Sequence, residues 1–229
     1  MANVSHELRT PLTVVSGFLE HFTDGGVMSA EQRLYFARIM SDQTKRMLSL
    51  VDDLLTLSRL EAEDAPASEE EVDMDPLLAQ LLSEAQSLSE GRHGLQVLCH
   101  GPALRGDRKE LHSAFSNLVS NAIRYTPAGG EIRIEWGTRE RGGTRDRLGV
   151  FSVQDSGVGI AAEHLPRLTE RFYRVDRGRS RDTGGTGLGL AIVKHILLRH
   201  QAALLIESRV GEGSTFRAEF PAWRLPPLA

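Results

Sequence analysis

Asn117-Leu118-Val119-Ser120-Asn121-Ala122-Ile123-Arg124-Tyr125 is the stretch on which the fold turns. Asp107 supplies a capping carboxylate for a helix running from there to about Tyr125. Asn117 and Asn121 are four apart and Arg124 is three further on, so all three lie near one helical face. Asparagine is a poor helix former, and two of them in an otherwise apolar run point to a purpose beyond structure, although a solvent-facing pair has the same spacing. Amide oxygens are hard ligands suited to Mg2+, and an adjacent guanidinium can meet phosphate.

Outward from this helix, two glycine clusters stand out. Leu148–Gln154 predicts a strand that ends at Asp155, within Asp155-Ser156-Gly157-Val158-Gly159. A carboxylate at a strand end can accept from an exocyclic amine, and glycines beside it leave room for a flat ring; an ordinary Asp-Ser-Gly turn has the same sequence. Gly184-Gly185-Thr186-Gly187-Leu188-Gly189 leads straight into an apolar helix over 188–199. It is neither a P-loop nor the Gly-x-Gly-x-x-Gly dinucleotide fingerprint. Glycines there let backbone N–H groups approach an anion at a helix N-terminus, where the dipole favours negative charge. Around these clusters, Asp75-Pro76 predicts a helix to about Ser89 and Leu95–His100 a strand. Glu131–Gly137 pairs with Leu148–Gln154 through a polar loop, Ala161–Glu170 is a short helix, and Leu204–Ser208 with Ser214–Phe220 closes the sheet. The expected architecture for 72–222 is an α/β sandwich, helices on one face of a mixed sheet, with 223–229 as a tail.

Residues 1–61 have a different period. A first helix runs through Phe22 to the turn signal Asp24-Gly25-Gly26, and Ser29-Ala30-Glu31-Gln32 is the Ser-x-x-Gln form of a capping box that starts a second helix at Ala30. Along it Phe36, Met40, Gln43, Met47, Leu50, Leu54 and Leu57 alternate spacings of four and three, as in a coiled-coil-like bundle. A helix from 30 to 61 spans about 48 Å, and one hairpin of that length cannot bury the stripe alone. Two hairpins are expected to pair as a four-helix homodimer; the alternative is that the stripe packs on the second half of the chain. Between the halves, 62–71 is acidic, lacks large apolar side chains and is expected to be a linker.

Composition narrows the function classes. The 229 residues are 40% hydrophobic and 25% charged with net charge −4, a globular composition without the basic footprint of a nucleic-acid or anionic-membrane surface. Cys99 is the only cysteine, which excludes an intrachain disulfide framework. None of the eight histidines forms a His-x-x-x-His pair, which argues against zinc. No stretch approaches the ~18 apolar residues of a membrane span, so no membrane contact is expected of this chain and a cytoplasmic location is.

Together these motifs resemble the sensor histidine kinases, whose ATP-binding half is a Bergerat-fold domain. Asn117–Tyr125 is similar to that family's N box, Asp155–Gly159 to its G1 box, Arg171-Phe172-Tyr173 to its F box and Gly184–Leu190 to its G2 box. Ser5-His6-Glu7-Leu8-Arg9-Thr10-Pro11-Leu12 resembles the H box of its dimerisation and phosphotransfer domain. The resemblance implies that His6 is the phosphoacceptor with Glu7 as acid/base partner, and that Asn121, with Asn117 as a second candidate, binds Mg2+. It implies Arg124 at phosphate, Asp155 at the adenine amine, and Gly187 and Gly189 at the triphosphate. Tyr125, Gly157, Gly159, Gly185, Thr186 and Leu188 complete the nucleotide set, and 173–183, with Arg174, Arg177, Arg179 and Arg181, is the ATP lid. Thr10, one turn beyond His6, shares its face and can orient water against a phosphorylated partner. Pro11 cannot donate to the Glu7 carbonyl, which predicts a kink. The implied activity is autophosphorylation from Mg·ATP and transfer to an aspartate on a response regulator receiver domain, with phosphatase action on that regulator. The rivals are a conformational ATPase of the same fold, which uses a glutamate where this chain has Asn117, and a non-catalytic dimeric scaffold. Only five residues precede His6, where the family's first helix extends further, so the sequence reads as the catalytic core of a longer protein anchored in the bacterial inner membrane.

Overall fold

The computed structural model describes residues 2–23, 28–62, 68–140, 147–175 and 185–227, with the side chains of Ala2 and Asn3 excepted. Helix α1 (Ala2–Thr23) and helix α2 (Ala30–Ala62) form the N-terminal hairpin. The capping box is made in full: Gln32 N–H donates to Ser29 Oγ at 3.1 Å, and Ser29 N–H donates to Gln32 Oε1 at 2.9 Å. The helix continues through Pro11, which is buried. Phe36 stacks on Phe18 with ring centroids 4.7 Å apart and meets Phe22 edge-on, so the first part of the α2 seam is taken up by α1. The Asp24-Gly25-Gly26 turn lies outside the described residues.

The seam divides further along. Leu50, Leu57 and Leu60 are buried in a core continuous with Leu188, Ile192 and Ile196 of the second half, and α2 packs on helix α5 (Gly189–Arg199). This is the alternative expectation for the stripe, realised over its C-terminal part. A second apolar row remains outside. Leu48, Val51 and Leu55 of α2 and Leu12 and Leu19 of α1 are exposed within one chain.

The second half is a two-layer sandwich. Strands β2 (Gly94–Cys99), β4 (Glu131–Glu140), β5 (Arg147–Asp155), β6 (Ala203–Arg209) and β7 (Gly213–Phe220) form a sheet of order β2-β4-β5-β7-β6. The β2–β4 pair is parallel and the others antiparallel, which gives the expected mixed sheet. Ile132, Ile134 and Trp136 alternate with more exposed residues along β4, so one sheet face is buried. Helices α3 (Met74–Ser89), α4 (Arg108–Tyr125) and α5 cover it, and Phe115 of α4 stacks on Phe151 of β5 at 3.8 Å between centroids.

Four local differences from the sequence reading have physical causes. The α3 cap is Asp73 rather than Asp75: its Oδ1 accepts from Asp75 N–H at 3.1 Å, and Pro76 is tolerated because first-turn N–H groups have no helical partner. Ala161–Glu170 holds only a 3-10 turn, Leu165–Arg167, since Pro166 has no N–H to give to Ala162. Glu70 and Glu71, expected in the linker, begin strand β1 (Glu70–Val72), which pairs antiparallel with strand β3 (Leu104–Gly106). Arg224 and Leu225, expected in the tail, pack back on the fold: both are buried, and Arg224 donates to the carbonyls of His200 and Arg105.

Candidate functional site

Helix α4 carries the first wall. Asp107 caps it by accepting from Lys109 N–H at 2.9 Å and Glu110 N–H at 3.0 Å. Its buried face of Leu111, Ala114, Phe115, Leu118 and Ala122 fixes the helix on the sheet and leaves Asn117, Asn121 and Arg124 half-buried along its border. Asn117 Nδ2 donates to the Ser113 carbonyl at 2.8 Å, so its position is set and its oxygen is turned the other way. That oxygen stands against the glycine loop, 2.5 Å from where a Cβ on Gly189 would be. Arg124 Nη1 is likewise 3.1 Å from where a Cβ on Gly185 would be. The loop approaches α4 this closely because neither position has a side chain.

The Asp155 turn closes over the end of α4. Asp155 is 7% exposed and accepts from Gly157 N–H at 2.8 Å through Oδ1. Burial pushes its carboxyl pKa up, while the N–H groups of Gly157 and Ser214 pull it back. Val158 N–H donates to the Tyr125 carbonyl at 3.3 Å, which ties the turn to the helix. Gly157 lies against that same carbonyl, and Gly159, at φ +68°, would overlap the Arg209 carbonyl if it carried a Cβ. Their lack of side chains is thus used by protein backbone at this turn.

The glycine loop enters α5 through Thr186, whose Oγ accepts from Leu188 N–H at 3.2 Å. Phe172 N–H donates to the Gly187 carbonyl at 2.8 Å, joining the segment before 176 to the segment after 184. Both residues have positive φ, +62° for Phe172 and +74° for Gly187. Tyr173 beside them is held by its hydroxyl against His164 Nδ1 at 2.7 Å and by Arg167 over its ring at 4.2 Å. Gly184, Arg177, Arg179 and Arg181 lie outside the described residues.

The structure therefore gathers Asn117, Arg124, Tyr125, Asp155, Gly157, Gly159, Gly185, Thr186, Gly187, Leu188 and Gly189 around one border of α4. On the hairpin, His6 and Thr10 are exposed, and the Thr10 hydroxyl donates to the His6 carbonyl at 3.3 Å. The Glu7 carboxylate lies 3.8 Å from Arg46 on α2. Arg174 connects the two halves electrostatically. Burial lowers its pKa, followed in order by Arg46, which lowers it, Tyr125 and Glu7, which raise it, and Arg124, which lowers it. The residue that leaves the F-box turn is thus influenced both by the H-box level of the hairpin and by the α4 border.

Three participants were missed by sequence reasoning, all on α2 or facing it. Thr186 Oγ donates to Asp53 Oδ2 at 2.6 Å. Glu61 pairs with Arg171 and lies 3.4 Å from His195 Nε2. Asp53 is three residues beyond Leu50 on the seam face, so the i,i+3 rule carried the signal. Arg46 and Asp53 are seven residues apart, which separates their levels on the helix by about 10 Å.

Comparison with known proteins agrees with this geometry. The family described as His Kinase A (phospho-acceptor) domain matches residues 1–63. The family described as histidine kinase-, DNA gyrase B- and HSP90-like ATPase matches residues 106–224. The phosphate regulon sensor protein PhoR of Pseudomonas aeruginosa is 52% identical over 222 residues, covering 96% of this chain and 49% of its own. The chain belongs to the sensor histidine kinases. It spans about half the length of that curated relative. Among solved histidine kinases, AdeS of Acinetobacter baumannii superposes with TM-score 0.72 at 25% identity over 95% of this chain and 98% of its own. Full-length ShkA in complex with AMPPNP superposes with TM-score 0.68 at 29% identity over 99% of this chain and 46% of its own. The helical hairpin and the α/β sandwich are thus the two parts of a histidine kinase core.

Proposed function

We propose that this core binds Mg·ATP between α4 and the glycine loop and transfers the γ-phosphoryl group to His6. The observation that carries the reading is the convergence of the Asn117 amide oxygen, a guanidinium, a buried carboxylate and an α5 N-terminus on one border facing a hairpin with an exposed histidine. Asp155 accepts from the adenine amine, Arg124 and the loop N–H groups meet phosphate oxygens, and Asn121 with Asn117 presents hard oxygen ligands. Among the described residues no cluster of three His, Cys, Asp or Glu side chains can hold a metal, so a magnesium ion would rely on those amide oxygens together with phosphate oxygens. Asn117 fits that duty, because its nitrogen is committed to Ser113 and only its oxygen remains. The metal supplies charge neutralisation at the phosphates.

In the transfer, an imidazole nitrogen of His6 attacks the γ-phosphorus, the P–N bond forms as the bond to the β-phosphate oxygen breaks, and ADP leaves. Glu7 takes up the imidazole proton. Positioning and charge neutralisation supply most of the rate, as in phosphoryl transfer generally. The phosphoryl group then passes to an aspartate on a response regulator receiver domain; in the opposite signalling state Thr10, once its hydroxyl turns from the His6 carbonyl, orients a water that hydrolyses the aspartyl phosphate to free aspartate and inorganic phosphate. The relationship to PhoR supports a PhoB-like regulator and phosphate-starvation signalling, in a longer protein anchored at the inner membrane. The exposed row Leu12, Leu19, Leu48, Val51 and Leu55 supports homodimerisation through the hairpin. The domain division follows the same reading: 1–61 phosphotransfer, and nucleotide binding from β1 at Glu70 through the buried Leu225.

Incubation with γ-labelled ATP is expected to give acid-labile, base-stable label on the parent chain and none on His6→Gln. Label retained by His6→Gln removes the assignment, and steady ATP hydrolysis without phosphoprotein favours a conformational ATPase.

A further inference from the structure

The contact between Thr186 and Asp53 joins the glycine loop to the hairpin. Asp53 belongs to α2, yet it meets three features that favour an anion. The Thr186 hydroxyl donates to it at 2.6 Å. The same hydroxyl accepts from Leu188 N–H, the residue before Gly189 opens α5, so the carboxylate stands at the positive end of that helix. Burial raises the pKa of Asp53 most strongly; against it the Thr186 hydroxyl and then the charge of the Arg124 guanidinium lower it, and neighbouring Asp52 raises it slightly. The helix N-terminus and the guanidinium are the groups assigned above to nucleotide phosphate.

We propose that Asp53 is an internal substitute for phosphate, a hairpin carboxylate that occupies the glycine loop until Mg·ATP displaces it. The inference rests on the reading of 185–189 as the phosphate cradle. Two negative groups cannot share one hydroxyl and one helix N-terminus without repulsion, so docking of Asp53 and binding of the triphosphate exclude each other. The remainder of the α2–α5 contact is apolar, Leu50, Leu57 and Leu60, except at its end, where Glu61 meets His195 of α5 and pairs with Arg171. Losing Asp53 therefore leaves a weaker interface, and nucleotide entry is coupled to release of the ATP-binding half from α2. A half so released is free to carry its phosphate towards His6, whose neighbour Glu7 lies at the Arg46 level about 10 Å along the same helix.

The apparent affinity of a site that is open only part of the time is its intrinsic affinity multiplied by the open fraction. If the docked form holds most of the population, removing the carboxylate is expected to tighten Mg·AMPPNP binding by about 3- to 10-fold. Calorimetric titration of the whole chain, of Asp53→Asn and of Asp53→Ala with Mg·AMPPNP tests this, with adenosine as the probe that lacks phosphates. Both variants are expected to gain for the nucleotide and to stay level for adenosine. Nucleotide affinity unchanged or weakened in both variants, with the parent binding normally, overturns the proposal and leaves the cradle reading intact. Absence of nucleotide binding by the parent overturns the cradle reading itself. Hydrogen exchange on the unmodified parent needs no variant: Mg·AMPPNP is expected to raise amide exchange over residues 50–60, and unchanged exchange at saturating nucleotide refutes the exclusion.

Discussion

Gly189→Ala separates the cost of a clash from the cost of a lost ligand. A Cβ at that position would stand 2.5 Å from Asn117 Oδ1, 3.4 Å from its Cγ and 3.9 Å from its Cβ. Ordinary contact begins near 3.4 Å, so only the oxygen is too close, by about 0.9 Å. All three atoms belong to one side chain with solvent on its border, so the amide can rotate away while the backbone stays. Rotation breaks the 2.8 Å bond from Asn117 Nδ2 to the Ser113 carbonyl, costing about 0.5–1.5 kcal/mol. Alanine in a helix returns about 0.5–1 kcal/mol relative to glycine. The net change in stability is therefore expected to lie within about 1 kcal/mol of zero. Mg·ATP binding has no such compensation. Turning the amide oxygen from the loop removes a contact to a charged group worth about 1.5–3 kcal/mol, which weakens binding about tenfold or more. Urea unfolding and calorimetric titration with Mg·ATP measure the two quantities on the same sample. Unchanged nucleotide affinity in a normally folded variant refutes the placement of Asn117 at the metal, and a stability loss well beyond 1 kcal/mol refutes the claim that the clash is absorbed by one side chain.

Two further outcomes follow from buried titratable groups. Asp155 has its pKa raised by burial, so its charged form is the disfavoured one: the cost is present above the ordinary value of 3.8 and disappears as pH falls. Asp155→Asn is thus expected to melt at or above the parent temperature at pH 7 while binding ATP about tenfold more weakly, and a variant that binds ATP like the parent contradicts the adenine contact. His200 is fully buried, with Nε2 accepting from Asp107 N–H at 3.1 Å and Nδ1 2.8 Å from the Ile196 carbonyl. Burial lowers its pKa, the Ile196 carbonyl and Asp107 raise it, and Arg224 and Arg199 lower it; Glu110 lies 3.7 Å from Nδ1. The unfolded chain then binds the proton first, so stability is lost as pH falls below the ordinary 6.5, by about 1.4 kcal/mol for each pH unit between the two values. Unfolding free energies at pH 7.5 and 5.5 are expected to differ more in the parent than in His200→Gln, and equal differences refute the assignment.

The sequence disclosed what is local and withheld what is not. Asn117, Asn121 and Arg124 share a face because 3.6 residues make a turn, and no tertiary information is needed to see it. Ser29 and Gln32 likewise bond within one turn. Strands β1 and β3 have three residues each, too few for a period, and exist because each supplies the other's partners. The glycines show the limit most clearly. Gly159 attracts notice as a ligand-binding residue, and a Cβ on it would also overlap the backbone carbonyl of Arg209. That crowding arises from the register of β5, β6 and β7, which joins residues some 50 positions apart and leaves no trace in spacing.

Helix α2 carries this argument to the function. Its heptad pattern is uniform from Phe36 to Leu57, and uniformity is the reason the pattern does not say which surface covers it. Packing divides it between Phe18 and Phe22 of α1 at one end and Leu188 and Ile192 of the ATP-binding half at the other. A seam shared in this way has one stretch that must let go if nucleotide is to reach the hairpin, and that stretch holds the carboxylate bound by Thr186. An acid on an apolar face weakens burial unless something receives it. Asp53 is received only while the halves are docked, so the residue that makes the interface polar also makes it sensitive to a competing anion.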